Sequence, residues 1–471
     1  MAILAYLITA VLVIWLIATL AGCRRAMPSG LSMASPLLAA DHLAFLTDLT
    51  FLKKGELHCE QHILPEILSL ISAAESFIII DIFLYNDLHD HSQNFPELSK
   101  TMTQALLTAK RRQPRLRLWI ISDPANTGYG SYPNPFFQEL EAAGATVVLT
   151  NLDRLPDSNL FYAGFWNLMG KHCRGKGSGW LPSPFSPKAP RFTLGGWLAL
   201  FNFKANHRKV ILTEKAGLIT SANSSHDASA AHSNIAFRFS GPLLAGLLKS
   251  EQAITALSGI RMDVDLPQTP DLRASHTQLQ LLTEGKIREA LLADLHACHP
   301  PATLWMAMFY LADRQIIAAL LAAARRGVAI NLILDANRDA FGRQKNGVPN
   351  RPVAAWLKKK SAGRIHIRWY DSHAEQFHTK LILISTPKRC LIMGGSANLT
   401  RRNIANFNLE TCLRILCPPQ NTLNLQVLSY FHRLWNNEDG EFTVAYEKYA
   451  DTSLLKYWQY QLQERSGFSL F

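Results

Sequence analysis

Two short stretches of the chain hold residue types suited to phosphoryl chemistry. The first is Asn206-His207-Arg208-Lys209-Val210-Ile211-Leu212, followed by Thr220-Ser221-Ala222-Asn223. The second is Phe377-His378-Thr379-Lys380-Leu381-Ile382-Leu383, followed by Gly394-Gly395-Ser396-Ala397-Asn398. Side chains alternate along a strand with period two, so the His and the Lys of each stretch share a face. The apolar run after each Lys reads as a buried strand. Each stretch thus presents one His, one Lys, one Ser and one Asn from a hairpin-like strand pair. A phosphodiester needs such a set: a nucleophile or acid, a cation and neutral donors. One His-x-Lys alone is ordinarily a strand edge. Two copies, each leading into Ser-Ala-Asn, point to a duplicated site.

The pair resembles the two HKD motifs of the phospholipase D superfamily, His-x-Lys-x4-Asp followed by Gly-Ser-x-Asn. Glu214 and Ser385 stand at the two Asp positions, and Thr220 stands at the first Gly. The resemblance implies a two-step reaction in which one His attacks phosphorus and forms a phosphohistidine. The other His protonates the leaving alcohol and then activates the incoming one. It further implies that Lys209, Lys380, Asn223 and Asn398 hold the phosphoryl oxygens, that Ser221 and Ser396 are supporting phosphate donors, and that neither a metal nor a cofactor takes part. The Asp of the motif supports and does not react. In the family an acidic residue downstream of the Asn orients a reacting His. The second copy supplies Asn408-Leu409-Glu410, so Glu410 is expected on His378. The first copy reads Asn234-Ile235-Ala236, which leaves His207 to another partner such as Asp227, or to none. Family habit makes His207 the nucleophile.

The elements that must position these residues recur twice. Phe51-Leu52-Lys53-Lys54-Gly55 is echoed by Leu282-Thr283-Glu284-Gly285. Helical patterns follow at 63–74 and 287–297, then strands at 76–84 and 303–311. Second helices end in basic residues at 103–112 and 316–326. The next strands end at carboxylates, Asp123 and Asp335, and a third helix and strand follow at 136–149 and 353–369. Strands alternating with helices at this spacing predict α/β units with a largely parallel sheet. The fold expected is α/β: two pseudo-symmetric phospholipase D-like α/β/α repeats facing a central cleft, preceded by one N-terminal transmembrane helix. The boundaries read as a membrane anchor at 1–25, a linker at 26–45, a first repeat at 46–250, a linker at 251–275, a second repeat at 276–442 and an amphipathic tail at 443–471.

Residues 2–22 carry no charge, and a run of about 20 apolar residues can span a bilayer. Without a basic n-region the run reads as a signal-anchor and not a cleaved signal. Arg24 and Arg25 behind it favour a cytoplasmic catalytic part, held at the inner membrane of a bacterium. Leu20-Ala21-Gly22-Cys23 also resembles a bacterial lipobox, which would anchor the protein by a lipid on Cys23. The seven cysteines form no C-x-x-C pair and no evident disulfide framework, so a zinc site is not expected.

The net charge of +12 calls for an anionic partner. An insert at 158–205 interrupts the first repeat, and residues 158–213 contain no Asp or Glu. Basic residues (Lys171, Arg174, Lys176, Lys188, Arg191, Lys204) are interleaved there with Phe161, Tyr162, Phe165, Trp166, Trp180, Phe185, Phe192 and Trp197. That composition fits an anionic membrane surface. It also fits single-stranded nucleic acid, the less favoured partner, or a lid that packs its aromatics on the domain. With phospholipid as substrate, the expected function is a membrane-associated phosphatidyltransferase similar to bacterial cardiolipin synthases. The alternatives are a phospholipase D releasing phosphatidic acid, a superfamily nuclease, and an inactive lipid-binding scaffold. The anchor and insert speak against the nuclease, and the doubled His, Lys and Asn speak against the scaffold.

Overall fold

The computed structural model describes residues 1–89, 95–173, 179–185, 189–266, 276–340 and 343–469. Arg174, Lys176 and Lys188 of the insert and Phe471 of the tail therefore lie outside the described residues. Two sheets carry the two repeats on one plan. In the first, seven strands run in the order Leu43–Lys53, Asn234–Phe239, Gly217–Thr220, Lys209–Thr213, Phe77–Ile82, Arg117–Ser122, Thr146–Leu149. The second repeats that order with Gln278–Thr283, Thr411–Cys417, Cys390–Gly395, Lys380–Ser385, Thr303–Met308, Ala329–Asp335 and Ile365–Tyr370. Each sheet gains short edge strands, Glu56–Glu60 on the first and Leu38–Ala39 and Thr443–Ala445 on the second.

The sheets are mixed and not largely parallel. Strands joined through a helix pair in parallel, as Phe77–Ile82 does with Arg117–Ser122 and Thr303–Met308 does with Ala329–Asp335. The motif strands return through short turns and pair antiparallel, Lys209–Thr213 with Gly217–Thr220 and Lys380–Ser385 with Cys390–Gly395. A short turn can only reverse the chain, whereas a parallel pair needs a long crossover.

Alternation along these strands builds the layers. Leu212, Ile219 and Phe237 of the first sheet share one buried cluster with Leu381, Leu383, Ile392 and Leu413 of the second. Their neighbours Ile211 and Leu218, and Ile382 and Leu391, face outward under the helices. The outer helices are Ile63–Ala73 and Leu98–Arg112 on one side and Gly285–His296 and Arg314–Arg325 on the other. A Cβ on Gly394 would lie 2.8 Å from the Phe237 ring, so this glycine permits the close approach of the sheets.

The described residues of both segments read as linkers, 26–45 and 251–266, are built into the fold. Ser35 donates its amide to Leu281 O at 2.9 Å and Leu38–Ala39 pairs with Gln278–Thr283, so the stretch after the anchor crosses to the second sheet. Helix Leu243–Leu257 runs through the expected boundary at 250, because Glu251 and Ile254 on its inner face are buried. Among the described residues one helix, Ala2–Cys23, is long and apolar enough to cross a membrane. The described residues of the insert form two short α-helices, Ala163–Leu168 and Leu194–Leu200, and the tail forms helix Leu454–Ser466. The tail docks through Tyr460, whose hydroxyl donates to Ala312 O at 2.8 Å, and leaves Leu454, Trp458 and Leu462 exposed.

Candidate active site

The two motif strands begin at the seam between the sheets, so their first residues face each other. The rings of His207 and His378 lie 6.3 Å apart, centre to centre. Both histidines are nearly buried, at 8% and 5% exposure. Each Lys folds back on its own His: Lys209 Nζ donates to His207 O at 2.9 Å, and Lys380 Nζ to His378 O at 2.6 Å. An aromatic ring backs each pair. Phe83 lies 4.9 Å from His207 and 5.2 Å from Lys209 Nζ; Phe309 lies 5.0 Å from His378 and 5.1 Å from Lys380 Nζ. These rings follow strands Phe77–Ile82 and Thr303–Met308, whose last residues pair with Lys209 and Lys380.

The partners of the histidines are crossed between repeats, which corrects the expectation from sequence. Glu410 does not orient His378: its Oε1 lies 2.9 Å from His207 Nδ1. Nor does Asp227 serve His207, since its Oδ1 accepts from Ser99 N and Oγ. His378 Nδ1 instead meets Asn234 Oδ1 at 3.2 Å. Asn234 is the true counterpart of Glu410. Ser221 N donates to Ile235 O and Ser396 N to Thr411 O, which sets Asn234 level with Glu410 and two residues off the register read from Asn-x-x. Ala236 is a buried sheet residue paired with Thr220 and Leu46.

The serines hold these partners and not the substrate. Ser221 Oγ donates to Asn234 Oδ1 at 2.9 Å and Ser396 Oγ donates to Glu410 Oε2. Each hydroxyl also accepts a strand amide, from Ile235 and from Thr411. With their protons committed, Ser221 and Ser396 position the partners of the histidines, a correction to their reading as phosphate donors. Asn223 and Asn398 differ: both are buried, and their Oδ1 atoms have no hydrogen-bond partner among the described residues. Buried amides ordinarily find partners, and the amide nitrogens of this matched pair are the groups able to donate to a phosphoryl oxygen.

Outside the ring of reacting types, Asp123 Oδ2 accepts from Asn206 N at 2.7 Å and Asp335 Oδ2 from Phe377 N at 2.8 Å. The carboxylates seen at the ends of two strands thus hold the backbone just before each histidine. Between His207 and Lys209 the Arg208 side chain points the other way, as strand alternation requires. Its guanidinium is fully buried on Glu284 at 2.5 Å and Glu251 at 3.1 Å. Glu284 also accepts from Glu410 N, so one carboxylate joins both repeats behind the site. Glu214 caps the amides of Glu75, Ser76 and Phe77 at the far end of the motif strand. It supports the strand and does not face the cleft.

Burial dominates the electrostatics. It lowers His207 to about 4 against the opposing pull of Glu410. His378 is lowered well below its ordinary value, by burial and then by Lys380 and Lys209, with no carboxylate to oppose them. Burial lowers Lys209 to about 7, and burial together with Lys209 lowers Lys380 well below its ordinary value. Burial pushes Glu410 up, but His207, Lys209 and the Ser396 hydroxyl outweigh it, so the carboxylate is held ionised. An anion placed among two lysines and two histidines would favour their charged forms. The cleft is poised for such an anion and holds both histidines neutral without it.

Phe83, Phe309, Asn234 and His232 escaped sequence reasoning. His232 packs 6.1 Å from His378 and accepts from Gln376 N through Nδ1, as Asn408 Oδ1 accepts from Ala205 N in the other half. The only signal for Asn234 was its place 13 residues after Ser221, close to the 14 between Ser396 and Glu410.

Residues 291–435 match the family model described as cardiolipin synthase, PLD-like domain. No curated protein matches the sequence. Among solved structures, the phosphatidylserine synthase of Haemophilus influenzae Rd KW20 superposes with a TM-score of 0.56 at 11% identity, over 96% of this chain and 97% of that one. The phospholipase D family member Nuc of Salmonella typhimurium is similar at 21% identity, a TM-score of 0.28, and 35% of this chain against 97% of its own. The chain therefore carries a phospholipase D-like domain in its second half, and over 96% of its length its fold is similar to that of a phosphatidylserine synthase.

Proposed function

We propose that the protein is a membrane-anchored phosphatidyltransferase that exchanges the alcohol of a phospholipid phosphodiester. The observation that carries this reading is the facing pair of His-x-Lys units, with ring centres 6.3 Å apart and each histidine fixed through Nδ1. With Nδ1 engaged, Nε2 is the reacting atom of both. His207 Nε2 attacks phosphorus and the bond from phosphorus to the headgroup oxygen breaks. His378, protonated in the field of the bound diester, gives its proton to that oxygen. The hydroxyl of an acceptor then attacks phosphorus, His378 takes its proton, and His207 leaves. Lys209, Lys380, Asn223 and Asn398 hold the non-bridging oxygens as charge shifts, the role of preorganised donors. Glu410 favours His207 as nucleophile, because a phosphorylated imidazole is cationic and a carboxylate on Nδ1 stabilises it.

The acceptor in this reading is a phospholipid headgroup hydroxyl, as in cardiolipin formation, with water as the hydrolytic alternative. The helix Ala2–Cys23 anchors the protein in the inner membrane of a bacterium, with Arg24 and Arg25 on the cytoplasmic side. Lipid mass spectrometry on the purified protein with phosphatidylglycerol vesicles tests the reading, beside His378→Ala. Cardiolipin with free glycerol is the expected product. Phosphatidic acid alone would make it a hydrolase. An unchanged lipid profile would defeat the lipid reading and bring a single-stranded DNA cleavage assay next.

A further inference from the structure

We propose that the start of the insert, residues 157–167, is a wedge immersed in the lipid leaflet beside the anchor helix and not a lid above the membrane. The anchor is exposed along nearly its whole length; only Thr19 and Gly22 are buried. A 22-residue helix is about 33 Å long, and with so many bare apolar side chains it needs a hydrocarbon environment about 30 Å thick. Whatever packs beside its middle or upper turns shares that environment.

The contacts fix the level of the insert. Asp157 N donates to Gly22 O at 3.1 Å, at the end of the anchor. The chain then climbs: a Cβ on Gly164 would strike Thr19 and Trp15, so helix Ala163–Leu168 rests on those residues. Trp15 lies eight residues before Cys23, about 12 Å deeper along the axis. The chain comes back at Asn167, which sits against Gly22 and donates to Asp157 Oδ2 at 2.7 Å. Residues 157–167 therefore leave the level of Gly22, reach that of Trp15 to Thr19, and return.

The side chains divide at the same levels. Near the anchor's end the contacts are polar. Arg25 donates to Asp153 O, to Leu155 O at 3.2 Å and to Asn167 Oδ1 at 3.3 Å, and Lys204 pairs with Asp157 at 2.5 Å. At the climb the outward side chains are Leu160 and Phe161, the latter 60% exposed. Polar groups there are turned inward: Tyr162 OH donates to Leu198 O at 2.8 Å, and Asn159, fully buried, donates to Phe201 O and accepts from Phe161 N. The backbone amides of Tyr162, Ala163 and Trp166 are all bonded within the segment. That is the condition hydrocarbon imposes on a backbone. The insert then returns through Leu194–Leu200 to His207, seven residues on, so the wedge is tied to the catalytic strand.

The inference rests on the anchor spanning a bilayer and is independent of the reaction. Its test uses the full chain with Cys23, Cys59 and Cys173 changed to Ser, and one cysteine added by Phe161→Cys or, separately, by Ile8→Cys. Each carries an environment-sensitive fluorophore in phosphatidylglycerol–phosphatidylcholine vesicles. Phosphatidylcholine brominated in mid-chain should quench both labels, and aqueous iodide should quench neither. Quenching of the Ile8 label by bromine together with quenching of the Phe161 label by iodide would overturn the wedge and leave the anchor standing. A label at Ile8 that bromolipid does not reach would overturn both.

Discussion

The two halves of the site share a plan and differ in the group behind each histidine. His207 leans on Glu410, a buried carboxylate held by Ser396 and Asn403. His378 leans on Asn234, a neutral amide held by Ser221. Both accept the Nδ1 proton and fix the same tautomer, but only Glu410 stabilises positive charge on the ring. In the proposed reaction this difference would separate two tasks that a symmetric pair would share. A histidine that becomes a cationic phosphoimidazole gains from a carboxylate. A histidine that passes a proton on and takes it back gains from an easily lost charge. A second contrast lies one residue further. Arg208 ties the first half to Glu251 and Glu284, whereas among the described residues the Thr379 hydroxyl makes only long contacts, to Ser233 O and Tyr430 OH at 3.3 and 3.4 Å.

The largest effects should come from the histidines, and they should be unequal in kind. His207→Ala should abolish turnover for every substrate. His378→Ala should lower it by about 10² to 10⁴-fold, the range for a lost general acid, and a phosphodiester with a nitrophenol leaving group should restore the first-turnover burst of nitrophenol but not steady-state turnover, since the second step still lacks its base. Equal rescue of both variants would erase the division of roles. Glu410→Gln should lower turnover on the order of 10⁴-fold, as loss of an orienting carboxylate does in a serine protease triad, with little change in KM. Arg208→Ala should destabilise the fold by about 3–5 kcal/mol in chemical denaturation, because it leaves two buried carboxylates uncompensated. Thr379→Val should cost about 1 kcal/mol or less.

The smallest and most diagnostic change is Asn234→Asp. An ionised Asp beside His378 favours the imidazolium and raises its pKa, typically by 1–3 units. A general acid works while protonated, so the alkaline limb of the pH–rate profile should move to higher pH. A profile that stays in place would mean that His378 does not supply the proton.

Much of this was legible in the sequence, for physical reasons. A His and a Lys two apart on an apolar strand announce a face, and the doubled Ser-Ala-Asn announces a partner face. Both survive because they depend only on strand periodicity. The carboxylates Asp123 and Asp335 were visible as strand ends but had no role until the structure placed them on Asn206 N and Phe377 N. The exchange of Glu410 from His378 to His207 was not legible. It depends on how the two sheets pack across the seam, and nothing within one repeat encodes which half a side chain reaches into. Asn234 was missed because Asn-x-x looked like the repeat unit, while the register is fixed by the amides of Ser221 and Ser396. Phe83 and Phe309 read as ordinary strand aromatics, since only their position beyond Ile82 and Met308 brings them over the lysines.

The claim that the two histidines have different tasks is tested most directly by trapping the covalent intermediate. The protein would be quenched in acid-free denaturant during turnover of phosphatidylglycerol, digested, and the phosphatidyl-histidine located by mass spectrometry. An adduct on the peptide containing His207, absent from His207→Ala and accumulating in His378→Ala with an activated substrate, is the predicted result. An adduct on the His378 peptide would contradict the account and assign the carboxylate-backed histidine to the proton.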